Sequence, residues 1–321
     1  MPWDTLPARA RALAQASLGS VRTCSALRGG QHATFRLEGG RSGVLKVRPP
    51  DRATWRREVE ALALFASELS VPEVLAADAD EEGAYLLMSL LPGEPLSRWL
   101  DEAGFPLEQA FLEGAAMAGR VHAVASRLTT SSQRWTDDIL VAYGLGTAAF
   151  FERYEARISA ASARLGLERT ARILRVVRAS LPRLDGLDHA VQLVHGDFQP
   201  KNLLFDAGGH LTGVIDWELA RRAPRLNDLA MLMRFAGTDD LELRMVEAYG
   251  PGDRLPSEVP AAARCYELVK VTVGLTTPEP DGPDVPAWIA FVDGCLDFFE
   301  RGDAGPVRLA ATHLREIPAS S

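Results

Sequence analysis

Alternating apolar and polar positions in the first 90 residues predict a small antiparallel sheet. Runs of this kind, each closed by Gly, Pro or Asp, are typical of strands in hairpins. They fall at 21–27, 33–37, 43–47, 73–77 and 84–90. Apolar residues recur at helical spacing over 51–68, between the third and fourth runs, and over 5–17 before the first. Since the strands follow one another as hairpins, the pattern favours an antiparallel sheet with a packed helix over βαβ repeats.

Beyond residue 95 the apolar period becomes mostly helical. Helices are predicted at 106–127, 146–165 and 168–181, and from 227 to the end of the chain. A β-rich island interrupts them, with a short apolar strand, a polar loop and a hairpin. These lie at 191–194, 195–202, and 203–205 with 211–215. A polar loop held between strands is where reactive side chains can be both fixed and exposed.

The length of 321 residues exceeds what one hydrophobic core usually fills, so two lobes are predicted. The first covers 1–91, the second covers 95–321, and the segment at about 88–94 forms a hinge. An apolar fraction of 47% with 24% charged residues is ordinary for a folded chain. The predicted fold class is α+β. A five-stranded antiparallel sheet and a helix form the N-terminal lobe, and the mainly helical C-terminal lobe carries a short β-hairpin.

Charge and cysteine content exclude several functional classes. A net charge of −8 and a pI near 5.4 argue against nucleic acid as a partner, because phosphate contacts need a basic surface. No run of about 18 uncharged apolar residues exists, so no membrane span is expected. Three widely spaced cysteines, Cys24, Cys265 and Cys295, form neither a metal pattern nor a disulfide framework. These features predict a cytoplasmic location.

The charged residues are distributed unevenly. Only three of the 35 basic residues are lysines, namely Lys46, Lys201 and Lys270. Segment 239–303 holds 14 acids and 5 bases, whereas the rest of the chain is nearly neutral. In a chain that otherwise uses arginine, a lone lysine between apolar strand residues favours a point-charge role on a phosphate. The alternative for Lys46 is a charge that keeps an edge strand soluble.

Two segments bring together groups suited to a metal–phosphate site. They are HGDFQPKNLLF at 195–205 and VIDWE at 214–218. Asp197 and Asn202 share one loop, Asp216 ends the next apolar strand, and such carboxylate and amide oxygens suit Mg²⁺. Taken singly, an Asp or Asn in a loop is more often a turn former. The joint spacing, D-x-x-x-x-N followed by an Asp after a strand, is that of kinase catalytic loops.

A kinase-type site also requires a lysine on the third strand and a glutamate on the following helix. Lys46 lies in the third predicted strand and is the only lysine in the first 200 residues. Glu58 and Glu60 lie on different faces of the predicted helix, so only one of them can face the sheet. Both would be solvated surface charges if neither served the lysine.

These motifs resemble those of the aminoglycoside phosphotransferase and choline kinase-like enzymes, which are small-molecule kinases with a protein-kinase-like bilobal fold. Supporting segments follow in family order. They are VLKV at 44–47, RREVEAL at 56–62, YLLMSLLPGEPL at 85–96 and GRVHA at 119–123. The resemblance spans roughly residues 21 to 235 and implies a kinase-like fold that uses ATP and Mg²⁺.

The resemblance implies a role for each matching residue. Asp197 would be the catalytic carboxylate that accepts the proton of the substrate hydroxyl or orients that hydroxyl. Asn202 and Asp216 would hold Mg²⁺ on the nucleotide phosphates. Lys46 would contact those phosphates, and Glu58, favoured over its neighbour by the motif, would brace Lys46.

The nucleotide site would be completed by backbone groups. In the resembling family, the linker strand presents its backbone to adenine, and here this strand is Met88–Leu91, with the contacts at Ser89 and Leu91. The turn with Gly29 and Gly30 would cover the phosphates. A plain hairpin is the alternative for that turn, because the G-x-G-x-x-G pattern is missing.

Other residues of the resemblance support the site or depart from it. His195 would brace the catalytic loop against Trp217, and Asp228 would tie that loop down. Lys201 lies inside the loop, but its offset leaves a role on the γ-phosphate open. Only a few residues separate Asp216 from the next predicted helix, so no activation loop fits, which favours small molecules over proteins as substrates.

The resemblance thus implies an ATP-dependent phosphotransferase that acts on a hydroxyl of a small molecule. The acidic segment 239–303 predicts a cationic acceptor, such as an aminoglycoside or an amino-alcohol. Its aromatic residues, interleaved with acids, could form a cage for an ammonium group. The residues concerned are Trp288, Phe291, Phe298 and Phe299 with Asp284, Asp293 and Asp297. The alternatives are that the acids only keep the segment soluble and that the aromatics belong to the hydrophobic core. The acceptor would then be a molecule without positive charge, such as a macrolide, a sugar or a homoserine-like compound.

Two further classes remain as alternatives. A catalytically silent nucleotide-binding module is disfavoured because all five key residue types are present. A Rossmann-type enzyme could use the glycines at 144–146. That pair follows no convincing strand and lacks both the third glycine and a partner acid.

Overall fold

The architecture comes from a computed structural model. It describes residues 3–27, 32–50, 52–128, 147–185, 191–250, 259–276 and 285–301. Gly29 and Gly30, the glycines at 144–146, and Asp284 lie outside the described residues.

A five-stranded antiparallel sheet forms the N-terminal part of the protein. Its strands are β1 (Thr23–Leu27), β2 (Ala33–Glu38), β3 (Ser42–Arg48), β4 (Val74–Ala79) and β5 (Ala84–Ser89). They lie in the order β1-β2-β3-β5-β4, and every neighbouring pair is antiparallel. The sheet predicted from the apolar alternation is therefore confirmed, with strand ends shifted by one or two residues.

Different helices cover the two faces of this sheet. Helix α1 (Ala8–Leu18) packs on the face that carries Leu45. Helix α2 (Arg52–Phe65) packs on the opposite face, against Leu86. Successive strand residues alternate between faces. Lys46 lies opposite Leu86 in the β3–β5 ladder, so its side chain is on the α2 side.

Helices dominate the chain after residue 95, and short strands lie among them. The helices are α3 (Leu96–Trp99), α4 (Leu107–Leu128), α5 (Thr147–Ala160), α6 (Ser162–Leu165), α7 (Leu167–Asp185), α8 (Leu226–Met233), α9 (Asp239–Tyr249), α10 (Val259–Gly274) and α11 (Val285–Arg301). The strands are β6 (Glu94–Pro95), β7 (Val191–Val194), β8 (Leu203–Phe205), β9 (Leu211–Val214) and β10 (Arg221–Pro224). The predicted mixed α+β class, with a mainly helical C-terminal part, is confirmed.

Three details differ from the sequence-based expectations. The predicted hinge runs into a two-residue strand, β6, which pairs with β8. Residues 221–224 form β10 and pair with β7 although their sequence, RRAP, has no strand pattern. The helix predicted over 146–165 is divided into α5 and α6. Short strands of this kind depend on their partner strand more than on intrinsic propensity, so sequence pattern does not show them.

One large apolar cluster joins α2 and one face of the sheet to the C-terminal helices. Within it, the rings of Phe65 and Trp217 lie 4.6 Å apart, which connects α2 to the turn after β9. Among the described helices, none is long and apolar enough to cross a membrane.

Candidate active site

The loop at 195–202 leaves β7 and returns to the chain as β8, so strands hold both of its ends. Gly196 has φ +85, and a Cβ at this position would collide with the carbonyl of Leu219. Glycine is therefore required at this turn. A 3₁₀ turn, Pro200–Asn202, closes the loop just before β8.

Asp228, at the start of α8, anchors the beginning of this loop. Its carboxylate accepts the backbone N–H groups of His195 at 2.7 Å and Gly196 at 2.9 Å. His122 Nε2 lies 3.1 Å from the same carboxylate. Burial raises the pKa of Asp228, but the hydrogen bond and charge of His122 outweigh it, and the pKa is lowered to about 2. The support role that the resemblance implies for Asp228 has a clear structural basis here.

Three donors surround the carboxylate of Asp197, which is 6% exposed. Gln199 Nε2 donates to Oδ1 at 2.5 Å, and Asn202 Nδ2 donates to Oδ2 at 2.9 Å. Lys201 Nζ lies 3.1 Å from Oδ2. The side chain of Asn202 also donates to the Asp197 carbonyl at 2.8 Å, so its nitrogen end is fixed. Since the amide nitrogen is used in this way, the amide oxygen is the group of the Asn202 side chain that could bind a metal.

Asp216 directly follows β9 and Ile215, and its backbone is unusual. Among the described residues it is the one non-glycine residue with positive φ, at +66. This left-handed conformation is tolerated by Asp and persists where the surroundings define it. Ile215 supplies such contacts, since its N–H donates to the Asn202 carbonyl at 3.0 Å and its carbonyl lies 2.9 Å from His195 Nε2. The rings of His195 and Trp217 lie 4.7 Å apart, as the resemblance implied.

Lys46 joins the sheet to this turn. Its Nζ lies 2.6 Å from Glu58 Oε1 and 2.5 Å from Asp216 Oδ1. Glu58 is fully buried, whereas Glu60 is partly exposed, so the structure brings Glu58 to the lysine. Burial raises the pKa of Asp216, but the charge and hydrogen bond of Lys46 outweigh it and lower the pKa to about 2. Burial lowers the pKa of Lys46, but the charges of Asp216 and Glu58 outweigh this effect and raise the pKa above its ordinary value. Lys46 and Asp216 are therefore both charged at neutral pH.

Two buried residues of this site, Arg48 and Glu218, had no role assigned from the sequence. Arg48 contacts Glu58 Oε2 and lies 2.7 Å from Glu218 Oε2, and His32 Nε2 lies 3.6 Å from the same oxygen. Burial raises the pKa of Glu218 to about 7, with a further contribution from Asp216. Two signals in the sequence could have indicated them. Arg48 lies two residues after Lys46 and so shares its face of the strand, and Glu218 is an acid two residues after Asp216.

The predicted nucleotide-contacting backbone is described only in part. The N–H of Ser89 donates to the Glu73 carbonyl at 2.9 Å, so it is not available to a ligand. The carbonyl oxygen of Ser89 is then the group left for the predicted adenine contact. Leu91 packs its side chain against Gly213, where an added Cβ would collide with it. The predicted phosphate turn at Gly29 and Gly30 falls outside the described residues.

Within its described residues, the acidic segment does not present a bare negative surface. Of its acids in the described residues, six lie in ion pairs with arginines. These are Asp239 and Glu242 with Arg264, Glu267 with Arg234, Asp293 with Arg169, and Asp297 and Glu300 with Arg172. Because the pairs neutralise most of these charges, the field expected to draw in a cationic acceptor is weakened.

The predicted aromatic–acidic cage is described only in part, because Asp284 lies outside the described residues. Asp293 and Asp297 on α11 face arginines of α7. The Phe298 ring lies 4.0 Å from the guanidinium carbon of Arg264, and the Trp288 ring lies 5.6 Å from that of Arg234. Phe298 and Trp288 therefore contact the protein's own cations.

Replacing Asp228 with alanine should lower the free energy of unfolding by about 3 kcal/mol, because two buried N–H groups lose their acceptor. Since the folded pKa lies below the ordinary 3.8, the stabilisation is present at neutral pH and lost as the pH falls toward 2. Thermal unfolding at pH 7 measures the effect.

Asp206→Ala is the matched control, because Asp206 also accepts two backbone N–H groups but on an exposed hairpin turn. We expect its effect to stay below about 1 kcal/mol. Equal melting temperatures for the two variants would contradict the anchoring role of Asp228.

Comparison with known proteins identifies the family. Residues 23–266 match the model of the phosphotransferase enzyme family. Since the match covers most of the chain, the protein belongs to this family, and the resemblance drawn from the motifs is confirmed. No curated protein matches the sequence significantly.

Solved structures confirm the kinase-like fold. An aminoglycoside-3'-phosphotransferase of type VIII shares 25% identity over 81% of this chain and 98% of its own, with a TM-score of 0.52. The streptomycin–ATP complex of the aminoglycoside phosphotransferase APH(2")-IIa shares 14% identity over 92% and 99%, with a TM-score of 0.58. The macrolide 2'-phosphotransferase MphH of Brachybacterium faecium shares 17% identity over 92% and 98%, with a TM-score of 0.59.

Proposed function

We propose that this member of the phosphotransferase enzyme family transfers the γ-phosphoryl group of ATP to a hydroxyl of a small molecule. One observation carries the proposal. Lys46 Nζ lies 2.5 Å from Asp216 Oδ1, although 170 positions separate the two residues. A phosphate-binding cation and a metal-binding carboxylate must converge in this way in a kinase-type site.

ATP is the phosphoryl donor in this proposal. A structural neighbour of the same fold is described as a complex with streptomycin and ATP. In this chain Lys46 would engage the phosphates while Glu58 Oε1 keeps its contact of 2.6 Å with Nζ. The two-lobe division at about 88–94, with the nucleotide between the lobes, stays a prediction.

The donor set fits Mg²⁺. Asp216 is held ionised with a pKa of about 2. The amide nitrogen of Asn202 donates to Asp197, so its amide oxygen would be the metal-binding group of that side chain. In the part of the chain that the structure describes, no three His, Cys, Asp or Glu side chains are grouped to hold a metal alone. Mg²⁺ commonly binds through one or two protein oxygens, substrate phosphates and water. When bound, it would neutralise charge on the phosphate oxygens.

The remaining chemistry is assigned to the loop. Asp197 orients the acceptor hydroxyl and accepts its proton as the hydroxyl oxygen attacks the γ-phosphorus in line, so that the bond to the β-phosphate breaks and ADP leaves. The three donors around Asp197 fix the carboxylate before the acceptor arrives. Lys201 Nζ, 3.1 Å from Asp197 Oδ2, places a cation beside the reacting oxygen.

The acceptor is proposed only as a class. Related structures are named for aminoglycosides and for a macrolide, and both kinds carry hydroxyl groups. The arginine-paired acids of the C-terminal helices give little support to a strongly cationic acceptor. A cationic acceptor, such as an aminoglycoside or an amino-alcohol, and a less charged one, such as a macrolide or a sugar, therefore both stay in the test set.

A panel assay tests the proposal. Purified protein is incubated with ATP and Mg²⁺ together with single aminoglycosides, macrolides, amino-alcohols and sugars, and ADP release is followed. We expect ADP release that depends on one acceptor class and on Mg²⁺. Binding of ATP in Mg²⁺ without any acceptor-dependent release would support the catalytically silent module instead.

A further inference from the structure

Arg48 is a buried cation that the proposed phosphoryl transfer leaves without a role. Its side chain is 1% exposed although it ends β3. It lies two residues after Lys46, so the two cations point to the same face of the sheet. A buried charge is strongly unfavourable unless partners compensate it. The contacts of Arg48 therefore indicate which parts of the site this residue holds in place.

The first partner of Arg48 is also the partner of the phosphate-binding lysine. Lys46 contacts Oε1 of Glu58 at 2.6 Å, and Arg48 contacts Oε2 of the same carboxylate. Both oxygens of Glu58 are thereby engaged by neighbouring cations of one strand. If Lys46 shifts toward a phosphate, Arg48 still holds Oε2 of the carboxylate.

The second partner belongs to the turn that carries the predicted metal ligand. Glu218 lies in the 3₁₀ turn Trp217–Leu219, which follows Asp216 directly. Arg48 Nη2 lies 2.7 Å from Glu218 Oε2. Asp216 has φ +66, a conformation that persists only where surrounding contacts define it. Arg48 supplies one such contact from the sheet.

Together these contacts connect acidic and basic side chains in alternation: Asp216, Lys46, Glu58, Arg48 and Glu218. The series returns to the turn where it began, so two cations of β3 hold that turn. In the proposed reaction Lys46 turns from Asp216 toward the phosphates. Arg48 then remains hydrogen-bonded to Glu218 and still links β3 to the turn.

We propose that Arg48 is a positioning residue for phosphoryl transfer, which orients Glu58 for Lys46 and fixes the turn that presents Asp216. The inference rests on the proposed function, since it gives Arg48 a part in that same site. It predicts that the geometry of the guanidinium matters as well as its charge. Both contacts are made by Nη2. This atom lies one bond farther along the side chain than the Nζ of a lysine, so a lysine ammonium at this position would fall short of the two carboxylates.

The test keeps the charge and changes the geometry. Arg48→Lys is compared with Arg264→Lys, since Arg264 is also buried and also lies between two acids, Asp239 and Glu242. Calorimetry measures ATP affinity over a series of Mg²⁺ concentrations, and thermal unfolding is followed in parallel. We expect Arg48→Lys to weaken Mg²⁺-dependent ATP binding about tenfold and to lower kcat by 10- to 100-fold, as changes around metal ligands commonly do. Arg264→Lys should leave the Mg²⁺ response unchanged.

A second variant changes Glu218, the other member of the Arg48–Glu218 pair, and serves as the test if Arg48→Lys folds poorly. Glu218→Gln should shift the Mg²⁺ response in the same direction. Combining the two substitutions should add little, because each breaks the same contact. Mg²⁺ responses equal to wild type in both variants, with only the melting temperature lowered, would overturn the proposal. Failure of the proposed function would give a different result, because wild-type protein would then transfer phosphate to no acceptor. The calorimetric comparison of wild type and variants would still show whether Arg48 affects Mg²⁺-dependent ATP binding.

Discussion

Replacing Asp197 with asparagine is expected to lower the turnover number by about 10³-fold and to leave ATP affinity in Mg²⁺ nearly unchanged. Asparagine has the same shape but cannot accept the proton of the acceptor hydroxyl. The site can accommodate the amide, because Gln199 donates to Asp197 with its nitrogen while its Oε1 has no hydrogen-bond partner within the described residues. A flip of the Gln199 amide would restore a matched pair.

Steady-state kinetics and calorimetry on the same preparation separate the two effects. Asp206→Asn serves as the control, because Asp206 is an exposed aspartate on the adjoining β8–β9 turn. It should retain wild-type kcat and KM. Wild-type turnover in Asp197→Asn would remove Asp197 from the reaction, and parallel loss of ATP binding would point to a damaged loop rather than lost chemistry.

Replacing Asp216 with asparagine is expected to weaken Mg²⁺-dependent ATP binding at least tenfold and to lower turnover by about 10²-fold or more. Asparagine tolerates the left-handed backbone that this position requires, so the substitution tests the charge and not the fold. The variant also deprives Lys46 of one of its two acid partners. ATP binding measured without Mg²⁺ should change far less than binding measured with it.

The Mg²⁺ titration is the decisive comparison for Asp216. Equal Mg²⁺ responses in Asp216→Asn and wild type would show that another group holds the metal. A loss of ATP affinity that is the same with and without Mg²⁺ would instead assign Asp216 to the placement of Lys46.

Much of the site could be predicted from the sequence because its parts have fixed chemical demands. Lys46 stood out as the lone lysine of its region inside an apolar strand, and a strand residue can be assigned to a face by alternation alone. Asp197, Asn202 and Asp216 stood out by their joint spacing. The five-stranded sheet followed from apolar alternation closed by turn residues, and the structure confirms it.

What the sequence did not reveal depends on contacts between distant segments. Glu58 and Glu60 were separable by motif, but burial and the 2.6 Å contact to Lys46 exist only in the packed molecule. Arg48 resembled any polar residue before Pro49-Pro50, and its partner Glu218 lies 170 positions away. The acids of α11 looked like a negative patch because their arginine partners are on α7. Charge counts along a chain cannot show such pairing across helices.

The fate of the γ-phosphoryl group tests the central claim most directly. Phosphorus NMR of wild-type protein with ATP, Mg²⁺ and the acceptor found in the panel assay should show a new phosphomonoester growing in step with ADP. The same mixture with Asp197→Asn should show almost none over the same time. Equal amounts of ADP and inorganic phosphate, with no phosphomonoester on any acceptor, would contradict the account.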